Sequence, residues 1–227
     1  MNFALLLTGE ERTFEKCFPS IRQHILAPYS PDVFICVDSN QELRFRELYK
    51  PVAMHCVFEQ ENRDAIGVSR QKYTDKANEA DVEANVSLFW KWRVCWDLLE
   101  KSGCQYDVVF MARPDIWIDS FDCPPKIDEN ILYLPSTDAL GTRWTSEHEY
   151  YGGWGGQLAF GSMRVVEVAS KMYDHLDEIY KTYEKYPHSF GAWHTERNFK
   201  RWMHVMNHIN MRLFDIDFHI ARPEVSC

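Results

Sequence analysis

Two side chains on either side of Pro114, Arg113 and Asp115, carry the strongest chemical signal in the chain. A guanidinium offers planar, charge-assisted donors to phosphate or carboxylate, and a carboxylate holds a hard divalent cation. Either Arg113 faces phosphate while Asp115 holds a metal, or the two pair with each other and tie off a strand. Asp38 is a second acid, placed to accept hydrogen bonds from a ribose or base, or more plainly to cap the turn after it. Thr8, Gly9 and Arg12 form a strand-to-helix turn suited to contact a nucleotide. Lys91 and Arg93 reach phosphates if they face inward, or are solvated like most long cations on helices. Tyr151 and Trp154 stand among four glycines in the stretch 150–157. Glycine admits close backbone approach, and flat rings take the C–H faces of a sugar. The plainer alternative is a glycine-rich turn around a buried Trp.

The elements that must hold these groups follow from pattern. Phe3–Leu7, Asp32–Val37, Val52–Phe58, Val108–Ala112, Ile131–Leu134, Leu158–Ser162 and Leu213–Ile220 are short apolar runs rich in strand formers. Arg113 and Asp115 stand just past Val108–Ala112, because Pro114 cannot donate to a ladder and pushes Arg113 toward extended backbone. In open α/β sheets ligands bind at that end of a strand. Helices are expected from Thr13, acting as N-cap, through Ile25, over Gln41–Tyr49, over Asn85–Ser102, over Met163–Tyr183, and from Trp193, with Thr195 as N-cap, to about Asn207. Gln60–Glu83 is polar with few apolar anchors and reads as an excursion with some helix. Alternating strands and helices predict an α/β fold: one Rossmann-like domain over 1–227, its mostly parallel sheet covered on both faces.

Composition narrows the function. A net charge of −9 argues against a general nucleic-acid binder, which needs a basic face to displace counterions. The seven cysteines are scattered with no C-x-x-C pair, so neither a zinc site nor a disulfide framework is indicated. No apolar run approaches the roughly 20 residues of a membrane span. The N-terminus lacks the basic region of a signal peptide, and a cytoplasmic protein is expected. The dinucleotide fingerprint G-x-G-x-x-G and the Walker phosphate loop are both absent.

Four stretches together resemble the small GT-A glycosyltransferases of large algal DNA viruses and bacterial surface-polysaccharide clusters: Leu7–Phe14, Asp32–Ile35, Tyr106–Asp115, and Gln157–Ser162 followed by His194–Glu196. The resemblance implies a GT-A-like fold and transfer of a hexosyl, deoxyhexosyl or pentosyl group. The donor would be a UDP- or GDP-sugar and the acceptor a glycan or glycoprotein hydroxyl. It further implies Mn²⁺ or Mg²⁺ on an acidic motif, at the position of Asp115, with Arg113 standing where a first Asp is usual. Thr8, Gly9, Arg12, Asp38, Lys91, Arg113 and Gln157 would face the donor; Tyr151, Trp154 and His194 would face the acceptor. An inverting enzyme needs a carboxylate to deprotonate the acceptor. Where relatives often carry that acid this chain has Gly156, so Glu149 is the candidate base, followed by Glu147 and Asp138. The competing readings are a non-catalytic nucleotide-sugar or carbohydrate-binding module of the same fold and an unrelated nucleotidyltransferase.

Overall fold

A computed structural model describes residues 1–38, 40–73, 79–136, 156–185 and 199–221. The apolar runs become nine strands among the described residues: β1 (Phe3–Glu10), β2 (Asp32–Asp38), β3 (Ala53–Val57), β4 (Val108–Ala112), β5 (Ile116–Ser120), β6 (Ile131–Pro135), β7 (Leu158–Gly161), β8 (Asn210–Phe214) and β9 (Asp217–Ile220). Seven form one sheet in the order β3-β2-β1-β4-β7-β6-β8, and β5 pairs with β9 in a separate two-stranded ribbon. β1 to β4 run parallel; β7 alone opposes its neighbours, and β8 returns parallel to β6.

Alternation along each strand sends side chains to opposite faces, so the sheet separates two cores. Ala4, Leu6, Val109 and Met111 face a layer built by α5 (Glu79–Ser102), α6 (Met163–Ser170) and α7 (Leu176–Lys185), in which Phe89, Trp92 and Trp96 are buried. Leu5, Leu7, Val108 and Phe110 face α1 (Phe14–Ile21), α3 (Glu42–Tyr49) and the β5–β9 ribbon. Each leucine so buried contributes about 1.5–3 kcal/mol. A π-helical turn (Arg22–Leu26) and the short α2 (Ala27–Tyr29) carry α1 toward β2. Among the described residues no helix is long and apolar enough to cross a membrane.

The structure departs from the sequence reading in four places. Among the described residues the polar excursion after β3 is helical, forming α4 (Glu59–Tyr73) and the start of α5. Its few anchors suffice, because Ile66 packs on the core and the Tyr173 hydroxyl donates to the Ala65 carbonyl at 3.0 Å. The helix expected over Met163–Tyr183 is interrupted by a 3₁₀ segment, Lys171–His175, which stacks the His175 ring on Trp202. The run Leu213–Ile220 is two strands, with fully buried Ile216 marking the passage from the large sheet to the ribbon. Thr13 makes no side-chain cap; its Oγ1 donates to the Ala221 carbonyl at 2.5 Å, tying the start of α1 to the end of β9. The helix expected from Trp193 lies partly outside the described residues, and its described end, 199–206, is helical.

Candidate functional site

Parallel strands end together, so the residues that close β1, β2 and β4 meet at one edge of the sheet. Glu10 and Asp38 are register partners, and Leu7 of β1 pairs with Ala112 just before Arg113. A groove of about 380 Å³ opens there, lined by Gly9, Asp38 and Arg113 from the strand ends and by Asn85 and Lys91 from α5. It adjoins a second depression of about 560 Å³, lined by Arg12, Asn40, Phe58 and Glu59; the two share Glu10, Asp38 and Asn62.

Gly9 has φ +136°, a conformation open to glycine and strained for other residues. A Cβ there would stand 3.5 Å from Arg113 Cγ and from Pro114 Cδ, so the backbone of β1 lies directly against the base of the arginine. Thr8 is buried inside β1 and lines neither depression. Arg12 pairs with Glu10, both about half exposed, a contact that water screens.

The two charged pairs in the groove are built in opposite senses. Asp115 is completely buried, and Arg113 grips both its oxygens, Nε to Oδ1 at 2.8 Å and Nη2 to Oδ2 at 2.6 Å. The Ala221 amide donates to the Asp115 carbonyl at 3.0 Å, fixing the backbone behind the pair. The Arg113 amide donates to the Gln157 carbonyl at 2.9 Å, which is how Gln157 comes to stand beside this site. Burial works to lower the Arg113 pKa, but the hydrogen bonds and charge of Asp115, with Glu10 behind them, hold it above its ordinary value. Burial, helped by the negative charge of Asp115, pushes the Cys17 thiol up. In the second pair the cation is inside. The side chain of Lys91 is 5% exposed and its Nζ bonds Asp38 Oδ2, whereas Asp38 is 38% exposed.

Asp115, expected to hold a cation, is therefore the anchor of Arg113, and the Arg–Asp pair weighed in the sequence is what the strand end contains. Asp38 and Lys91 meet as one unit. Sequence reasoning passed over Phe58, 70% exposed at the end of β3, and Asn62, whose Oδ1 accepts from Ser87 Oγ at 2.8 Å to join α4 to α5. The available signal for Phe58 was an aromatic placed directly after an apolar run. Glu149, Glu147, Asp138, Tyr151, Trp154 and His194 lie outside the described residues. Gly156 is described: its φ is +82°, and a Cβ would come within 2.9 Å of Leu88 and Trp92, so an acid cannot occupy that position unless these neighbours shift.

Among the described residues the divalent cation that the resemblance implies finds no fitting donors. Both Asp115 oxygens are committed to a guanidinium within a buried pair, and among the described residues no three His, Cys, Asp or Glu side chains gather as ligands.

No family model matches the sequence, and no curated protein matches it. Among solved structures the chain is similar to the crystal structure of mouse xyloside xylosyltransferase 1 in its apo form. The TM-score is 0.51 at 9% identity, over 95% of this chain and 86% of that one. The mixed seven-stranded sheet flanked by helices is thus a GT-A-like, Rossmann-type fold.

Proposed function

We propose that the chain is a glycosyltransferase that draws a sugar from a nucleoside-diphosphate donor and passes it to a hydroxyl acceptor. The observation that carries this reading is the groove at the carboxyl ends of β1, β2 and β4, in which Asp38 turns a carboxylate outward and Arg113 a guanidinium. A carboxylate accepts from ribose hydroxyls, and a guanidinium takes the phosphate oxygens. Phe58 offers an exposed ring beside Asp38, Asn40 and Asn62, a wall suited to a nucleobase. As the glycosidic bond breaks, charge builds on the departing diphosphate, and a fixed cation stabilises it because it needs no reorganisation at that moment. Glu149 is assigned the proton of the acceptor hydroxyl, with Glu147 and Asp138 next, and Tyr151, Trp154 and His194 are assigned to the acceptor.

The test is release of UDP or GDP from a panel of nucleotide sugars, with candidate acceptors present. Turnover of one donor, lost in Glu149→Gln with donor binding retained, is the expected result. Gly156 favours one other reading, because its backbone and neighbours leave no ready room for an acid at the position where a base is common. A donor that stabilises the fold and is never turned over makes the protein a binding module of the same architecture.

A further inference from the structure

Arg113 spends two of its five N–H groups on Asp115, one on Nε and one on Nη2, which leaves three. Its side chain keeps 19% of its surface and lines the groove, while Asp115 keeps none. The anchor is itself held: the Ala221 amide donates to the Asp115 carbonyl, and Thr13 Oγ1 donates to the Ala221 carbonyl. Gly9 closes the other side: its backbone passes close enough that even a Cβ would touch Arg113 Cγ, at 3.5 Å. A guanidinium locked in this way has lost its rotamer freedom before any ligand arrives, so little ordering cost remains when a diphosphate binds. Lys91 is not a second free cation, since it lies beneath Asp38 and is bonded to it.

Resting on the donor reading above, we infer that Arg113 does the work given elsewhere to a divalent cation. It takes the donor's diphosphate directly, with Asp115 as its positioning residue, and donor binding needs no metal. For Asp115 to serve a metal it would have to leave a closed site and release both bonds to Arg113, stranding the guanidinium. The buried acid and outward base instead present one fixed guanidinium at the end of the central strand, the positive face of a pair that is neutral overall.

The experiment is a calorimetric titration of the whole chain with UDP and with GDP, in EDTA and again in Mn²⁺. One nucleotide binds equally well, within about twofold, in both. Loss of the charge-assisted bonds in Arg113→Ala weakens it about tenfold to a hundredfold. Because that variant strands a buried carboxylate, Arg113→Ala/Asp115→Ala is measured beside it, with thermal unfolding as the check on folding; it shows the same loss. Asp115→Ala alone weakens binding, and Asp115→Asn, which keeps an acceptor for the guanidinium, recovers part of it, a rescue that a purely structural role would not produce. Binding seen only with Mn²⁺, or binding in EDTA that is indifferent to Arg113, overturns the inference and leaves the donor reading standing. Failure of both nucleotides in both buffers overturns the two together.

Discussion

Two ion pairs face one groove, and they are mirror images. In Arg113–Asp115 the acid is sealed inside and the base looks out; in Lys91–Asp38 the base is sealed and the acid looks out. The difference teaches that a pair's identity says little about what it offers a ligand. What matters is which member keeps its water. Burying an ion is expensive and is offset only by a well-made partner, so the inner member of each pair acts as structure and the outer one is free for recognition.

Deleting the outer members is the direct way to break this comparison. Arg113→Ala leaves the Asp115 carboxylate unpaired with no access to water, and stability falls by about 3–5 kcal/mol in urea unfolding. Adding Asp115→Ala returns most of that loss; a double variant as unstable as the single one would show that the stranded charge is not the cause. Asp38→Ala strands Lys91 in the same way, at the lower end of that range, about 3 kcal/mol, because the ammonium sits at the groove wall. If Lys91→Ala costs more than Asp38→Ala, the inside–outside assignment of that pair is reversed. Gly9→Ala strains the backbone at φ +136°, although its Cβ meets Arg113 only at ordinary contact distance, and costs about 1–3 kcal/mol together with weaker nucleotide binding as β1 shifts against the arginine. Unchanged affinity there would mean that Arg113 is not placed by β1. Thr13→Ala removes the bond that steadies Ala221 behind Asp115 and costs about 1 kcal/mol by chemical denaturation, with no effect on Lys91–Asp38.

Much of this was legible beforehand. Val108–Ala112 is too short and too apolar to be anything but an interior strand, and Pro114 fixed where it stops, so the address of Arg113 and Asp115 could be read directly. Which of the two faces the groove could not, because that is decided by residues far along the chain: Ala221, Thr13 and Gly9. The reversal of β7 was equally hidden, since an apolar tetrad reads the same in either direction. The excursion after β3 read as only partly helical because α4 shows almost no apolar stripe. It leans on i,i+4 pairs such as Arg63–Glu59 and Gln60–Asp64 and on one hydroxyl from Tyr173. The run Leu213–Ile220 kept its strand character but lost its unity, because one buried isoleucine is a turn in space that no periodicity marks.

The pairing of β1 with β4 joins Phe3 to Val108, two positions more than a hundred residues apart. Closing so long a loop costs entropy before the contacts it makes repay it, so pairing at this separation is slow. The arginine at the tip of that strand therefore reaches its final position late. During renaturation helical signal should return first, and the capacity to hold a nucleotide only with the slowest phase.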